Sequence, residues 1–439
     1  MSSPLNSRSL RLLLGKLAPF LKLGAASGGA ALLAFFTQTL LARQLGPDDY
    51  GRFSAALSLV TILAPLACFG IGSFWLSVFG KEGWAAERWL GRSVAYVQLS
   101  GLFVLALVTL WAVAGPHDSR TTLVILALMI FILSQIAMEL VGVLYQLEEK
   151  YTSFALWQVL PHVARIALLG LFLVAPLSPD FLHSALTAFF MASAGIIGLG
   201  IFMLRRRLGG GLALQGHGNR PAGLATSPVT LAQVIRLSLP FGLVGFTYLV
   251  YTQVNVVLVK YLGSDAEAAF YTIAFMVMNA FLLLPNMAFE KILVPRIHRW
   301  YHQDLPQLKS VLRLSVLIVV LSSAIGMAVV WLAADYIAAF FFGTDAAPLA
   351  TALLILMWSI PLRSLSLCFG SVLFVGSFIR LRLWIVLATL FVDVALCVLF
   401  IPARGASGAA TAMVVAEAVM CILFFLGMRR AIRHGERAV

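Results

Sequence analysis

Long apolar stretches recur along the whole chain, and they constrain its fold more than any other feature of the sequence. A helix needs about 20 mainly apolar residues to cross roughly 30 Å of hydrocarbon. Such windows occur twelve times, at residues 21–42, 53–79, 93–115, 121–146, 154–177, 181–204, 235–261, 270–294, 311–334, 347–376, 380–401 and 405–428. The sequence therefore predicts an all-α, polytopic membrane protein with about twelve transmembrane helices, called spans below.

The composition excludes a water-soluble fold and several classes of site. Of the 439 residues, 61% are hydrophobic and 11% are charged, whereas a soluble domain has about 25% charged residues. The four cysteines are widely spaced in apolar stretches, which excludes a disulfide scaffold and a zinc cluster. No Gly-x-x-x-x-Gly-Lys-Ser/Thr motif is present, which argues against ATP hydrolysis. We expect neither a cofactor nor a metal site, and no enzymatic activity.

The distribution of Lys and Arg predicts the orientation of the spans. With twelve spans, 24 of the 31 basic residues fall on one side of the membrane. The basic residues of the other side are Arg43, Arg52, Arg120, Lys260 and Arg404. Because cytoplasmic loops are rich in Lys and Arg, the rich side and both termini are predicted to be cytoplasmic. This topology and attraction to anionic membrane lipids explain most of the net charge of +13, so we expect no nucleic-acid partner.

A long polar segment and an internal repeat divide the chain into halves. Residues 205–230 contain Arg, Gly and Pro and predict a cytoplasmic linker between an N-terminal six-helix lobe, 1–204, and a C-terminal six-helix lobe, 231–439. Residues 43–53 align without gaps on residues 260–270, at an offset of 217. A basic residue, Leu-Gly, Asp and Phe recur in both copies. The halves should be related by an axis along the membrane normal, with a cleft between them.

The repeated segment has two interpretations. The one we favour is a helix turn in which Gly takes a left-handed conformation and Asp caps the next helix. The other is a ligand-binding role, since substrate sites of duplicated transporters lie at the repeat interface.

Three motifs carry a resemblance to a known family. They are Leu41–Phe53, the apolar stretch Leu63–Gly70, and Gly405–Thr411 at the start of the last window. Together with the twelve spans and the mid-chain linker, they resemble the polysaccharide transporters of the multidrug/oligosaccharidyl-lipid/polysaccharide exporter superfamily, in particular the O-antigen and repeat-unit flippases.

The resemblance implies a flippase of the bacterial inner membrane that moves undecaprenyl-pyrophosphate-linked oligosaccharide by alternating access. The absence of a nucleotide-binding motif, together with carboxylates inside the spans, predicts that a coupling ion drives this movement. It implies three kinds of partner: the lipid-linked oligosaccharide, membrane lipids and other polysaccharide assembly proteins. Two alternatives stay open. One is a multidrug or peptidoglycan-precursor exporter of the same superfamily, and the other is a membrane glycosyltransferase or polymerase that acts on lipid-linked sugars.

Two arginines inside spans are candidate substrate-binding residues. Charges at this depth cost a few kcal/mol and usually face a cavity or a partner. Arg165 lies one turn after His162 on the same helix face, and Arg363 lies in the tenth window. A guanidinium can bind a pyrophosphate through paired hydrogen bonds. The alternative for both arginines is a structural ion pair with Glu139, Asp393 or Glu417.

The same three carboxylates are candidate ion-coupling residues, because a carboxyl group within the membrane can carry a proton during transport. We rank Glu417 first and Asp393 second, since both lie near mid-membrane. Glu139 comes third because it lies nearer the cytoplasmic end of its span.

Gln38 and Asn255 complete the candidate site. They occupy equivalent positions at the offset of 217 and could hydrogen-bond sugar hydroxyls. The alternative, which we favour, is hydrogen bonding between helices.

Overall fold

The computed structural model describes residues 7–218, 220, 228–286, 303–343, 346–374 and 378–438, together with residues 289, 293, 297, 300 and 301. The regular elements of this described part are all helical, which confirms the predicted all-α class. The long helices are α1 (Ser7–Leu63), α2 (Ile71–Glu82), α3 (Glu87–Ala114), α4 (Ser119–Leu128), α5 (Ile130–Leu147), α6 (Tyr151–Val174), α7 (Phe181–Arg206), α8 (Leu231–Leu262), α9 (Asp265–Asn286), α10 (Leu305–Phe342), α11 (Ala347–Leu356), α12 (Ser359–Val372) and α13 (Ile379–Ala438).

The helices are long and apolar enough for a polytopic membrane protein. In the described residues, eight helical segments could cross a membrane, and a ninth is the bent pair Leu231–Leu243 and Gly245–Leu262. The segment Ala26–Ala114 is 89 residues long and Ile379–His434 is 56 residues long, so each exceeds one crossing. If the first contains three crossings and the second contains two, the total equals the predicted twelve.

Glycines with positive φ interrupt the longest helices. Gly46 in α1 has φ 72°, Gly70 before α2 has φ 73° and Gly405 in α13 has φ 54°. Only glycine adopts this region without a steric penalty. Between the first two breaks, a short 3₁₀ turn, Ala64–Cys68, contains Pro65, which lacks an N–H to continue an α-helix. These positions mark where the chain changes direction.

Aspartates begin several of the helices. Asp118, Asp180 and Asp304 each precede a helix, and their carboxylates accept hydrogen bonds from backbone N–H groups two or three residues later at 2.9–3.0 Å. The first N–H groups of a helix have no partner inside the helix, so such caps satisfy them.

The chain forms two compact units. Unit 1 contains the residues up to Leu41 and Val60–Phe246, and unit 2 contains Ala42–Leu59 and Thr247–Val439. The segment Ala42–Leu59, which carries the first copy of the repeat, therefore belongs to the same unit as the second copy. The lobes and the linker predicted from the sequence stay predictions.

In unit 1, the described part of the segment 205–230 packs against the helices. Leu212 and Leu214 are buried in an apolar cluster that also includes Trp75, Trp84 and Trp89. The indole of Trp84 donates a hydrogen bond to the carbonyl oxygen of Gly218 at 3.0 Å. Residues 219 and 221–227 lie outside the described part of the chain. The described residues of the predicted linker thus form a strap on unit 1.

A buried carboxylate holds the start of this strap. Glu148 has no exposed side-chain area and pairs with Arg207 at 3.2 Å and with Lys150 at 3.0 Å. It also accepts a hydrogen bond from the backbone N–H of Ala213 at 3.4 Å. These bonds satisfy a charge that would otherwise be costly to bury.

Candidate functional site

Four of the predicted site residues meet inside unit 2. Asn255 lies on α8, Arg363 on α12, and Asp393 and Glu417 on α13. Asp393 and Glu417 are 24 residues apart, which is about 36 Å along a straight helix. Both nevertheless approach α8, because α13 is broken at Gly405 and its two parts run side by side. We call these four residues the buried charge cluster.

Hydrogen bonds connect the members of the buried charge cluster. Arg363 forms an ion pair with Glu417, which also accepts a hydrogen bond from the Tyr251 hydroxyl at 2.8 Å. The amide of Asn255 donates to Asp393 Oδ1 at 3.3 Å and to the Tyr271 hydroxyl at 3.1 Å. Asp393 and Glu417 have no exposed surface, whereas Asn255 is 2% and Arg363 is 6% exposed.

The cluster contains more negative than positive charge. Arg363 neutralises Glu417, but Asp393 has no ion pair in the described part of the chain. Three buried oxygens of the cluster lack a hydrogen-bond partner there, namely Asp393 Oδ2, Glu417 Oε2 and Asn255 Oδ1. Because an unneutralised buried carboxylate is costly, this arrangement favours uptake of one proton or one small cation. The described residues contain no group of three or more His, Cys, Asp or Glu that could hold a metal ion.

A small cavity adjoins the cluster. It is lined by Tyr248, Tyr251, Arg363 and Arg382, among others, and has a volume of about 20 Å³, enough for about one water molecule. Arg363 donates a hydrogen bond to the Tyr248 hydroxyl at 3.1 Å. The guanidinium of Arg363 therefore borders a space large enough for about one water molecule, although its main partner is Glu417.

Tyrosines that the sequence analysis did not single out complete the cluster. Tyr248, Tyr251 and Asn255 are spaced three and four residues apart, so they share one face of α8. This polar stripe within an apolar window is the signal that could have identified them.

Arg165 lies elsewhere, in unit 1, between two aromatic rings. Its guanidinium carbon is 4.9 Å from the centroid of the Phe131 ring and 5.0 Å from that of Phe189. No ion pair between Arg165 and a carboxylate occurs among the described residues, and its buried Nε has no hydrogen-bond partner there. Aromatic faces attract a cation without neutralising it. Arg165 thus keeps its full positive charge, and His162 stands one turn before it on α6.

The remaining two predicted residues also lie in unit 1. Glu139 on α5 has an exposed side chain. Its Oε1 lies so close to Gly72 that a Cβ at that glycine would overlap with it. Gln38 on α1 is half-buried. Gln38 belongs to unit 1, whereas Asn255 belongs to unit 2. Asn255 bonds to residues of neighbouring helices, as the favoured alternative predicted for it.

The two copies of the repeat contact each other within unit 2. Arg52 pairs with Asp265 at 2.9 Å, and Lys260 pairs with the same carboxylate. The Ser54 and Thr272 hydroxyls are 3.2 Å apart. Gly51 lies so close to the backbone of Asp265 that a Cβ would overlap with it. We call these residues the paired-loop cluster.

The third motif of the sequence joins the same region. Glu267, in the second copy, accepts a hydrogen bond from the backbone N–H of Ala406 and lies against Gly405. All three segments, 43–53, 260–270 and 405–411, therefore contribute to one local structure, although they are far apart in the sequence.

The expected helix turn occurs in part. Gly46 adopts the left-handed conformation, but the equivalent Gly263 is not among the described glycines with positive φ. The α9 helix is capped by the Ser264 hydroxyl, which accepts a hydrogen bond from the N–H of Glu267 at 3.2 Å. Asp265 does not cap the helix, because its carboxylate binds Arg52 and Lys260.

Comparison with known proteins supports the sequence resemblance. A family model described as "Polysaccharide biosynthesis protein" matches residues 20–300. No curated protein matches the chain.

Solved structures of membrane transporters share the fold. A multidrug resistance MATE family transporter of the MOP superfamily, in an inward-facing conformation, is 15% identical with a TM-score of 0.71, over 93% of this chain and 96% of that one. The lipid II flippase MurJ, in an inward closed conformation, is 14% identical with a TM-score of 0.68, over 94% and 90% of the two chains. A MOP superfamily transporter from Pyrococcus furiosus is 13% identical with a TM-score of 0.64, over 95% of both chains.

The ion pair between Arg363 and Glu417 yields a stability prediction. Removing one partner leaves the other charge buried and unpaired, so Arg363→Met should reduce the free energy of unfolding by about 3–5 kcal/mol. The double variant Arg363→Met with Glu417→Met should recover most of this loss. Thermal unfolding of the purified proteins in one detergent measures both effects. A double variant no more stable than Arg363→Met would show that the pair is not a structural unit.

Proposed function

Because the chain belongs to the polysaccharide biosynthesis protein family, we propose that it is a flippase for undecaprenyl-pyrophosphate-linked oligosaccharide units. It moves these units from the cytoplasmic to the periplasmic leaflet of the bacterial inner membrane by alternating access. The likeness in fold to a lipid II flippase supports a substrate that is a sugar carried on a lipid pyrophosphate.

The positive charge of Arg165 is the observation on which the proposed substrate depends. Within an apolar helix, it presents a cation that no carboxylate of the described residues neutralises. A guanidinium remains charged in such surroundings and matches the geometry of phosphate oxygens. We propose that Arg165, with His162 beside it, binds the pyrophosphate group.

Arg363 has a different role in this proposal. Its pairing with Glu417 makes it a member of the buried charge cluster, and the side that lines the small cavity is a secondary substrate contact. Asn255 acts within the same cluster, while Gln38, half-buried on α1, contacts the sugar.

The transporters of the superfamily offer the main alternative, an exporter of cationic drugs or of a peptidoglycan precursor. A cationic drug is best held by an acidic cavity, and the unneutralised charge of Arg165 opposes that use. A peptidoglycan precursor also carries a pyrophosphate, so Arg165 suits it equally well. A glycosyltransferase or polymerase has less support, since the solved structures that share this fold are transporters.

The paired-loop cluster supports alternating access. The predicted topology places four basic residues of its neighbourhood, Arg43, Arg52, Lys260 and Arg404, on the periplasmic side. The half-buried ion pair between Arg52 and Asp265 and the hydroxyl contact between Ser54 and Thr272 contribute about 1 kcal/mol or less each. Contacts of that strength can open and close during transport. We propose that they close the periplasmic end of the substrate path and separate when the substrate leaves.

The buried charge cluster supports ion coupling. A ligand shifts a conformational equilibrium only if it binds the two states differently. Asp393 has no ion pair within the described ranges, so a proton or a small cation would stabilise it more than it would stabilise Glu417, and we place Asp393 first. Glu139, exposed and in the other unit, is the third candidate.

A first prediction concerns Arg165. Arg165→Ala should abolish export of the glycan, and Arg165→Lys should restore only part of it because lysine cannot form paired hydrogen bonds to phosphate. Surface polysaccharide and accumulated lipid-linked units in the native host measure export. Arg120→Ala, which removes an exposed arginine paired with Asp180, is the matched control and should export normally. Full export by well-expressed Arg165→Ala would reject the role.

A second prediction concerns the paired-loop cluster. In a variant whose four cysteines are replaced by alanine, Ser54→Cys with Thr272→Cys should form a disulfide, since the native hydroxyls are 3.2 Å apart. Oxidation should stop transport and a reductant should restore it, while each single-cysteine variant should be unaffected. Undiminished transport by a fully cross-linked protein would exclude opening at this point.

A third prediction concerns coupling. Asp393→Asn keeps the shape of the side chain but cannot ionise, so it should remove the response of transport to an imposed ion or pH gradient in proteoliposomes. Glu417→Gln should weaken that response, because it also frees Arg363. Asp335→Asn makes the same change at an exposed carboxylate of α10 and serves as the control. If Asp393→Asn responds like the parent protein, Asp393 is structural.

A further inference from the structure

The last turns of α13 carry an arginine cluster that the proposed function does not use. Arg429, Arg430 and Arg433 are exposed, and together with Leu426 and His434 they line an open cleft of about 530 Å³. No ion pair to a carboxylate is formed by these arginines in the described part of the chain. We call these three residues the arginine cleft.

The arginine cleft continues an apolar stripe of the same helix. Ile422 is 59% exposed and Leu426 is 54% exposed, and Arg429, Arg430 and Arg433 follow Leu426 by three, four and seven residues. Residues at this spacing share one helix face. The face is therefore apolar over the last span and becomes basic where the span ends, which is the depth of lipid headgroups.

The opposite side of the helix end is held by the protein. Met428 is 7% exposed, and Ala431 has no exposed surface. The Tyr301 hydroxyl donates a hydrogen bond to the carbonyl oxygen of Ala431 at 2.9 Å, and the Phe378 ring lies 5.8 Å from the ring of His434. These contacts hold the helix end against the protein and leave the face with the three arginines exposed.

We propose that the arginine cleft binds the headgroup of an anionic phospholipid. Guanidinium groups bind phosphate oxygens through paired hydrogen bonds, and the adjoining apolar stripe provides a surface for the acyl chains. A soluble phosphate would use only the first of these features, whereas a phospholipid uses both. The ligand class is thus a lipid with a negatively charged phosphodiester headgroup.

The test measures lipid binding without requiring transport. The purified full chain in a neutral detergent is titrated with phosphatidylglycerol and, separately, with phosphatidylcholine of the same acyl chains. Native mass spectrometry counts the bound lipids. The triple variant R429Q/R430Q/R433Q is compared with R205Q/R206Q/R236Q, which removes the same charge from exposed arginines on the same predicted side.

We expect phosphatidylglycerol to bind the parent more tightly than phosphatidylcholine does. R429Q/R430Q/R433Q should lose about 100-fold in affinity for phosphatidylglycerol, at about 1 kcal/mol for each arginine, and the control triple should lose less than about threefold. The charge-preserving variant R429K/R430K/R433K should bind phosphatidylglycerol more tightly than the glutamine triple, because it keeps the charge, but less tightly than the parent, because lysine cannot form the paired hydrogen bonds. This variant also covers the case in which the glutamine triple fails to fold.

Three results would overturn the proposal. Equal losses in the two glutamine triples would mean that only net charge matters. Equal affinities for the two phospholipids would mean that the cleft does not recognise the headgroup charge. Displacement of phosphatidylglycerol by glycerol phosphate or by undecaprenyl phosphate at equal or lower concentration would assign the cleft to a free phosphate or to the transported lipid.

Discussion

Backbone hydrogen bonding in a medium without water is the constraint on which the rest of this structure depends. A peptide group that leaves a helix inside hydrocarbon costs several kcal/mol unless another group satisfies it. The described chain is accordingly helical almost throughout, and its breaks fall where the sequence supplies glycine or proline, as at Gly46, Pro65 and Gly405. The break at Gly405 has the largest effect, because it brings Asp393 and Glu417 to the same level of α8.

The same medium explains how the charges are arranged. In unit 2, the buried charge cluster contains two carboxylates and one arginine, which pairs with Glu417, while tyrosine and asparagine side chains supply further hydrogen bonds. In unit 1, Arg165 is surrounded by aromatic rings instead. The first arrangement leaves a negative charge to be balanced and the second leaves a positive one. In the proposed function, a cation binds at the first arrangement and the anionic substrate at the second, and each is held in a separate unit.

The sequence predicted the all-α membrane class and the number of crossings well. The length of an apolar stretch can be read from that stretch alone, without knowledge of the rest of the fold. It also included Glu417, the ion-pair partner of Arg363, among three possible carboxylates, since few ionisable residues lie at that depth. The environment of Arg165 could not be predicted in this way. Phe131 and Phe189 look like any other apolar residues of a span, and only the packing of three helices brings them to the guanidinium. Alignment of residues 43–53 with 260–270 showed that the two segments are copies of one motif. The alignment does not show that the two copies contact each other.

The contact between those two segments is not reciprocal. Arg52 binds Asp265, but the positions equivalent to this pair are Ala269 and Asp48, which cannot form a second ion pair. Likewise, Ser54 contacts Thr272, whereas their equivalents are Tyr271 and Ala55. A two-fold symmetric dimer makes every such interaction twice. A homodimer of the N-terminal half could repeat the first contact, because Asp48 occupies the position of Asp265, but not the second, because Ala55 occupies the position of Thr272. Both contacts together therefore require two copies that differ in sequence.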